Sequence, residues 1–478
     1  MVDRNDHSTS FKRRKYLKAA GAAGIVGLAG CSSNGSGGNA AKSSSKSSQH
    51  SSTGGSNSSS SNSAGPDYSK YEGMTIDFAL ATYKTEWEAI AKKFEKETGI
   101  KVNLTAMAHS SMLGKLRSQL RAHQATYDAW ISDVIWTGSL MSPGWVEPLH
   151  KYMQNPDLAM PNYDWNDFLP DFQNNYGLWK GTIYGLPWFG DIMKLVVRKD
   201  LLKKYESEYK KKHNEPILPP WPKGYKDYAH FDRVAKFMHS KGWPMGLGGK
   251  KGWNIVYWYP NRFASATGKR NMIDRSNNTP RLNMNGAKQA LQVMVNEAQN
   301  YAYKPLETGY TQSRNQFLDG KTWSVEQWGT ATHKFIKKYG WEDKIRVVLT
   351  PGGYPNLGGW GIMINSFADK KKKEAAFLLA QWATSKKMDK WTYKKFGVTP
   401  TRKSSFTKPI LKNHPQARYQ DPKKNPGIKT PSLRPRQPNY KELANSMASQ
   451  FNAAMAGNTS VDSAISSVQK SWKQVLSQ

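Results

Sequence analysis

A carboxylate and an indole stand three positions apart, at Asp133 and Trp136, where a short apolar stretch ends. An ionised carboxylate accepts hydrogen bonds, and an indole offers a broad apolar face with one N–H donor. The two side chains therefore suit contact with a ligand. Both also have a plain structural interpretation, because Asp133 can cap the following turn and Trp136 can pack in a core.

Motifs of common hydrolases and nucleotide-binding enzymes are missing from the sequence. It has no His-Glu-x-x-His and no Gly-x-Ser-x-Gly, and residues 248–251 (Gly-Gly-Lys-Lys) lack the spacing and the Ser or Thr of a phosphate-binding loop. A single cysteine, Cys31, excludes an intrachain disulfide and a cysteine-rich zinc site. We expect no catalytic residues, no metal and no cofactor.

The chemistry of Cys31 is predicted from the residues before it. Arg13-Arg14 lies in a basic stretch, a run of small, weakly apolar residues follows, and residues 28–31 (Leu-Ala-Gly-Cys) resemble a lipobox, whose cysteine is acylated. Residues 1–30 are predicted to be a twin-arginine-type lipoprotein signal peptide, and residues 31–67 the lipidated cysteine and a Ser/Gly-rich tether. The mature protein is expected at the cell surface, anchored to lipid on the outer face of the cytoplasmic membrane or on its periplasmic face.

Strand and helix patterns alternate in the segment that carries Asp133. Residues 74–80 and 100–104 alternate apolar and polar side chains, as strands do. Between them, Thr85 and Glu88 form a capping-box pair that predicts a helix start, and Gly99 predicts the helix end. Such a βαβ unit implies parallel strands, so the predicted fold class is α/β.

The same alternation continues up to Asp133. A helical pattern at residues 112–124 precedes a short strand at residues 127–133. In open α/β sheets, ligands bind beyond the carboxyl ends of strands. Asp133 and Trp136 are therefore well placed for a ligand, whereas residues in the middle of a strand are not.

Basic residues outnumber acidic ones almost twofold. The chain has 70 Lys and Arg against 36 Asp and Glu, a net charge of +34. Nucleic-acid-binding proteins concentrate basic residues in one stripe or motif, but here they recur along the whole chain with acidic residues among them. We interpret the charge as a solvated surface and expect no nucleic-acid partner. Attraction to anionic membrane lipid stays open, given the predicted anchor.

Six segments in the rest of the chain carry a resemblance to one known family. They are residues 87–102, 184–187 with 198–202, 317–321, 358–361, 396–402 and 440–476. Their order resembles that in the extracellular solute-binding proteins of ABC transporters, the group that includes maltose-binding protein and other sugar-binding lipoproteins. The resemblance covers about residues 68–478. The chain departs from it at residues 203–221, a charged and proline-rich insert, and in its unusual positive charge.

The resemblance implies a two-lobed periplasmic-binding-protein fold of the class II type, with a hinge and an interlobe ligand cleft. It assigns residues 68–177 and 351–405 to lobe 1, and residues 178–350 and 406–478 to lobe 2. The implied function is capture of a sugar or oligosaccharide for delivery to the permease of an ABC importer. The protein is then expected to be a monomer and no enzyme.

Most of the predicted ligand-binding residues follow from the resemblance. Segments that match ligand-contacting loops of sugar-binding relatives contain Trp188, Asp191, Trp328 and Trp360, and Glu326 precedes Trp328 by two residues. Flat rings stack on the C–H faces of a sugar, and carboxylates accept hydrogen bonds from its hydroxyls. The predicted site is Asp133, Trp136, Trp188, Asp191, Trp258, Glu326, Trp328 and Trp360. Core packing is the alternative for each of its tryptophans.

Other functions on the same residues stay open at this point. The fold also suits glycerol phosphate, a polyamine, a peptide or an acidic saccharide. A glycoside hydrolase would need two carboxylates about 5–10 Å apart, such as Asp133 with Asp191 or Glu326, and the resemblance argues against it. In contrast, Trp382 lies in an Ala- and Leu-rich stripe of a helix predicted at residues 373–388, so we predict that it packs in the core.

Overall fold

The structure is a computed structural model that describes residues 65–220, 223–252, 255–340, 343–413 and 431–478. Its strands are β1 (Thr75–Leu80), β2 (Lys101–Ala106), β3 (Ala129–Asp133), β4 (Leu178–Trp179), β5 (Thr182–Ile183), β6 (Gly185–Arg198), β7 (Ile273–Asp274), β8 (Thr279–Pro280), β9 (Ser324–Trp328), β10 (Ile345–Leu349) and β11 (Leu357–Ile364). The predicted signal peptide, Cys31 and nearly all of the predicted tether lie outside the described residues.

Helices occupy most of the remaining chain. They are α1 (Lys84–Thr98), α2 (His109–Arg121), α3 (Thr137–Met141), α4 (His150–Gln154), α5 (Pro170–Phe172), α6 (Lys199–Lys204), α7 (Glu206–His213), α8 (Tyr228–Ser240), α9 (Ile255–Thr267), α10 (Asn285–Asn300), α11 (Tyr310–Leu318), α12 (Gly329–Tyr339), α13 (Lys370–Ala383), α14 (Lys386–Phe396), α15 (Lys408–Asn413), α16 (Tyr440–Met455) and α17 (Val461–Leu476). Within the described ranges, none of them is both long and apolar enough to cross a membrane.

One mixed sheet of seven strands forms the centre of the fold. Its order is β10-β6-β11-β3-β1-β2, and β9 pairs with β6 outside that path. β1 is parallel to both β2 and β3, which confirms the predicted βαβ unit. β11 runs antiparallel to β3 and to β6. Every residue of β3 and β11 is buried, so the sheet is covered on both faces, as in other α/β proteins.

The long strand β6 joins the two parts of this sheet. Its residues 185–192 pair with β11, and its residues 193–198 pair with β9 and β10. The register with β11 shifts between Trp360 and Gly361, so Trp188 is the extra residue of a bulge. Pro187 lies next to the bulge, and because it has no N–H to donate, such a position tolerates it in an interior strand.

Several predicted helix boundaries differ from those in the structure. The predicted helix start at the capping box of Thr85 and Glu88 is wrong. α1 begins at Lys84 and has no side-chain cap, and the preceding residue Tyr83 has a left-handed conformation (φ 63°). The predicted end at Gly99 is confirmed, because its left-handed conformation (φ 73°) lets its N–H bond to Glu95 O.

One predicted helix and one segment of the family resemblance each contain two helices. The helix predicted at residues 373–388 is α13 followed by α14, because Ser385 accepts a hydrogen bond from Met388 N and caps the second helix. The final stretch at residues 440–476 is α16 and α17, with Gly457 between them in a left-handed conformation (φ 78°). Trp382 on α13 is buried and packs against Phe94 of α1, as predicted for a core residue.

Candidate functional site

A cavity of about 810 Å³ lies at the carboxyl ends of β1, β3 and β9 and the start of β11. Its volume is in the range of small-molecule sites. Seven aromatic side chains line it: Tyr83, Phe189, Tyr257, Tyr310, Trp328, Trp360 and Phe396. Another concave surface, of about 580 Å³, lies along α10 and α17, but no aromatic side chain lines it. The first cavity is therefore the candidate binding site.

Asp133 is the last residue of β3 and lines this cavity. Its Oδ2 lies 3.0 Å from His109 Nε2, and its Oδ1 accepts from Ile135 N at 3.2 Å. Arg434 Nη2 is 3.7 Å from the same Oδ1. Burial raises the pKa of Asp133, but the His109 hydrogen bond and the Arg434 charge outweigh it, so the net pKa is below the ordinary value. The carboxylate is therefore ionised and able to accept further hydrogen bonds.

Asp191 reaches the cavity from β6, at the junction of the two parts of the sheet. Its Oδ1 accepts from the backbone N–H of Gly329 at 2.8 Å, at the start of α12. Lys194, three residues further along β6, is almost fully buried. Burial lowers the pKa of Lys194 to about 8, against the opposing effect of the Asp191 charge. Asp191 thus holds α12 against β6 while facing the cavity.

Trp328, at the end of β9, and Trp360, on β11, present indoles to the cavity beside the glycine-rich start of β11. The Trp328 ring lies directly over Gly358, where an added Cβ would be 2.6 Å from its Cζ3. Gly359 has a left-handed conformation (φ 108°) and an added Cβ would be 2.2 Å from Phe189 O, so this position also requires glycine. The absence of side chains at both positions makes room for the Trp328 ring and for the close approach of β6.

Four further ring contacts fix the walls of the cavity. Trp360 makes T-shaped contacts with His109 at 5.6 Å and with Tyr83 at 6.3 Å between ring centroids. The Arg434 guanidinium lies 5.5 Å from the ring centroids of both Tyr257 and Trp328. Such cation–π contacts position the charge of Arg434 beside the ring that faces the cavity.

Four of the eight predicted site residues line the cavity, and four do not. Asp133, Asp191, Trp328 and Trp360 line it. Trp136 and Trp188 do not line it and instead pack behind its walls. Trp136 is buried and stacks on His109 at 5.0 Å. Trp188 is buried at the bulge of β6 and packs 5.0 Å from Trp87.

Trp258 and Glu326 are the other two that lie away from the cavity. Trp258 is fully buried in α9, with its ring against Gly248. Glu326 is buried on β9, where its Oε2 accepts from Arg262 Nη1 at 3.0 Å and its Oε1 accepts from the Tyr228 hydroxyl. Its carboxylate is occupied by this internal network, and neither Trp258 nor Glu326 lines the cavity.

Several cavity residues escaped the sequence analysis. His109 follows β2, and Asp133 ends β3, so the rule that ligands bind at strand ends could have selected His109 as well. Arg434 comes from a segment about 300 residues away, and nothing in its local sequence indicates that it lies beside Asp133. Within the described residues, no group of three His, Cys, Asp or Glu side chains suits a metal ion.

Comparison with known proteins gives the family. Residues 89–419 match the family of bacterial extracellular solute-binding proteins. A mannitol-binding protein of Pseudomonas aeruginosa is 23% identical over 428 residues, which are 84% of this chain and 92% of that protein. An erythritol/L-threitol-binding protein of Mycolicibacterium smegmatis is 26% identical over 136 residues, and this match spans 26% of the chain and 28% of that protein.

Solved structures show the same fold. A solute-binding protein of Agrobacterium radiobacter in complex with ribitol has a TM-score of 0.68 at 21% identity, covering 85% of this chain and 99% of that one. A maltose-bound protein of T. maritima has a TM-score of 0.68 at 22% identity, covering 84% of this chain and all (100%) of that one. The predicted two-lobed α/β fold is therefore confirmed, and the chain belongs to the bacterial extracellular solute-binding proteins.

Proposed function

We propose that this protein is the extracellular sugar- or polyol-binding component of an ABC importer. The observation that carries the proposal is the cavity at the strand ends, where two buried, ionisable carboxylates face two indoles. Asp133 and Asp191 accept hydrogen bonds from hydroxyls, and Trp328 and Trp360 offer flat faces to C–H groups. This combination matches the alternating polar and apolar surface of a sugar or a sugar alcohol.

The relatives support a carbohydrate as the cargo. The curated relatives include a mannitol-binding protein and an erythritol/L-threitol-binding protein, and the solved structures of the same fold include ribitol-bound and maltose-bound proteins. A polyamine suits this cavity less well, because Arg434 lies beside Asp133 and Lys194 lies beside Asp191, so both carboxylates already have cationic neighbours.

Capture is proposed to involve closure of two lobes, residues 68–177 with 351–405 and residues 178–350 with 406–478. β6 belongs to the second group and pairs with β11 of the first group. Asp133 lies in the first group, whereas Asp191 and Trp328 lie in the second. A solute that contacts both groups binds a closed form more tightly than an open one, and only that difference in affinity shifts the population. The closed form would then be presented to the permease of the importer.

The family gives the general location of the protein, and the predicted lipid anchor specifies it further. Extracellular solute-binding proteins act outside the cytoplasm. The finer proposal is that acylated Cys31 holds the protein on the outer face of the membrane while residues 31–67 form a tether. About 35 residues of flexible chain reach roughly 30–35 Å, enough for a folded unit to meet a membrane permease.

Thermal unfolding of the full chain in detergent, with and without candidate solutes, tests the cargo. Mannitol, ribitol, erythritol, glucose and maltose form the carbohydrate panel, and spermidine and glycerol 3-phosphate represent the other classes. A solute at 100 times its dissociation constant stabilises the protein by about 2.7 kcal/mol. Stabilisation by at least one carbohydrate supports the proposal. Stabilisation by spermidine alone would reject it.

A further inference from the structure

The cavity contains a surplus of basic side chains. Lys84, Arg314, Lys334 and Arg434 line it, against Glu86, Asp133 and Asp191. Lys84 is paired with Glu88, so Arg314, Lys334 and Arg434 are the cations that matter for a solute. Lys194 adds a fifth positive charge directly behind Asp191.

The two buried acidic side chains of the cavity already have cationic or N–H neighbours. Asp133 contacts His109 at 3.0 Å and has Arg434 at 3.7 Å, and Asp191 accepts from Gly329 N with Lys194 nearby. Neither carboxylate is therefore available to neutralise a further cation on the other side of the cavity.

Arg434 is the most constrained of the basic groups. Its side chain is 3% exposed, and its guanidinium lies 5.5 Å from the ring centroids of both Tyr257 and Trp328. Nη2 donates to Leu357 O at 3.3 Å, while the 3.7 Å to Asp133 Oδ1 exceeds hydrogen-bond distance. A guanidinium has five N–H donors in a planar fork that matches an anionic group with two oxygens. Arg434 also hydrogen-bonds to the Tyr440 hydroxyl. Of its five N–H donors, the Leu357 carbonyl and Tyr440 engage only part, and Arg434 lines the cavity.

Arg314 on α11 and Lys334 on α12 stand on another wall of the cavity. Neither forms an ion pair with any residue in the described part of the chain. Arg314 Nε makes a single long contact, 3.4 Å to Asn315 Oδ1. While the cavity is open to solvent, water solvates the charges of Arg314 and Lys334, so leaving them unpaired destabilises the protein little.

Closure of the lobes over a solute removes water from these cations and so raises the free-energy cost of leaving them unpaired. Removing water from unpaired cations carries a large desolvation cost unless an opposite charge replaces the water. A neutral sugar supplies hydroxyl oxygens and no charge, so the surplus cations would be buried uncompensated. A solute with one anionic group offsets them and forms charge-assisted hydrogen bonds, which are about twice as strong as neutral ones.

We propose that the preferred solute is an acidic carbohydrate: a sugar or sugar alcohol that carries one anionic group. The anionic group binds between Arg434 and the Arg314–Lys334 wall, while Trp328 and Trp360 stack on the carbon skeleton. This inference rests on the proposed carbohydrate function and specifies its substrate class. Both a carboxylate and a phosphate ester have the required chemistry.

The experiment compares matched neutral and acidic solutes on the full chain in detergent. D-glucose, D-glucuronate, D-gluconate and D-glucose 6-phosphate are titrated by calorimetry at low salt and at about 0.5 M salt, where exposed charges are largely screened. We expect at least one acid to bind about tenfold or more tightly than glucose, with a preference that shrinks at high salt. The carboxylates and the phosphate ester distinguish the two sources of the charge.

Variants on one helix provide a matched control. Lys334→Gln removes a cation that lines the cavity, and Lys337→Gln removes an exposed cation of the same helix α12 that does not line it. Lys334→Gln should lower the ratio of acid to glucose affinity by about three- to tenfold, in the range of a charge-assisted contact. Lys337→Gln should leave that ratio unchanged. Arg434→Gln should lower it further if the variant folds, and Lys334→Gln tests the idea even if that variant does not fold.

The outcomes separate this inference from the function on which it rests. Glucose or another neutral carbohydrate binding as tightly as every acid would overturn the inference and leave the carbohydrate function standing. Equal effects of Lys334→Gln and Lys337→Gln would also overturn it, because the preference would then come from overall charge. No binding by any neutral or acidic carbohydrate would overturn both.

Discussion

Replacing Trp328 by alanine distinguishes a binding residue from a core residue. Its indole is only partly buried, lies over Gly358 at the cavity and makes a T-shaped contact with Tyr257 at 5.9 Å. Truncation removes one stacking surface and one ring partner of Arg434. Aromatic anchors of this kind contribute about 2 kcal/mol, so affinity for the solute should fall about 30-fold. Stability should fall less than after loss of a fully buried tryptophan, because the ring packs against the core but is only partly buried.

Trp382 is the matched control for this prediction. It is 6% exposed, packs 5.3 Å from Phe94 and donates from Nε1 to Glu97 Oε2 at 3.1 Å, and it does not line the cavity. Trp382→Ala leaves a void in the core, which should lower the free energy of unfolding by about 3–5 kcal/mol. The protein that remains folded should bind with unchanged affinity.

Two assays on each variant decide the outcome. Calorimetric titration with the tightest carbohydrate of the panel measures affinity, and denaturant unfolding measures stability. Trp328→Phe keeps an aromatic ring over Gly358 and should recover part of the lost affinity. The reasoning would be refuted if Trp328→Ala bound the solute normally and unfolded at lower denaturant, because Trp328 would then be a core residue.

Three further predictions concern other parts of the chain. Gly358→Ala should weaken binding severalfold in calorimetric titration with little loss of stability, because its Cβ would meet the Trp328 ring at 2.6 Å; unchanged affinity would count against this position. Arg233 lowers the pKa of Glu215 from 4.5 to about 2, so the pair stabilises the fold above about pH 4.5 and this stability is lost as the pH falls to 2. In urea unfolding, Glu215→Gln should therefore be less stable than the native chain at pH 7 and equal to it near pH 2, whereas a constant difference would contradict the assignment. Cys31→Ser should move the protein into the aqueous phase of a detergent partition, and retention in the membrane would contradict the lipid anchor.

The periodicity of apolar side chains predicted the strands and helices for which the local sequence pattern and the packing in the fold favour the same structure. The strands at residues 75–80 and 101–106 alternate in side-chain type, and Gly99 ends the helix between them because it adopts a left-handed conformation readily. The rule of ligands at strand ends found Asp133 for a geometric reason, since carboxyl ends of parallel strands share one edge of the sheet. Both arguments depend only on nearby residues.

Residue type alone did not separate the cavity surface from its supporting wall. Trp136 and Trp360 are neighbours, with ring centroids 5.5 Å apart, yet only Trp360 lines the cavity. Trp136 lies in the turn after β3 and Trp360 on β11, and which of the two rings faces the cavity depends on how these elements pack, which is tertiary information. Arg434 was missed for a similar reason, because only the folded chain brings its segment beside Asp133. The electrostatics of the site therefore depend on charged residues, such as Asp133 and Arg434, that lie far apart in the sequence.

Asp191 connects solute binding to the packing of the sheet. Its Oδ1 holds the N–H of Gly329, the residue directly after Trp328, so a change at Asp191 affects both the hydrogen-bonding and the stacking side of the cavity. Asp133 and Trp360 come from neighbouring strands in the other proposed lobe and pair in register across β3 and β11. A solute that contacts Asp191 and Trp328 on one side and Asp133 and Trp360 on the other gains its full set of contacts only when both walls approach. Each wall supplies only one of the two carboxylates and one of the two indoles. Affinity for the solute and closure of the lobes are therefore expected to rise together.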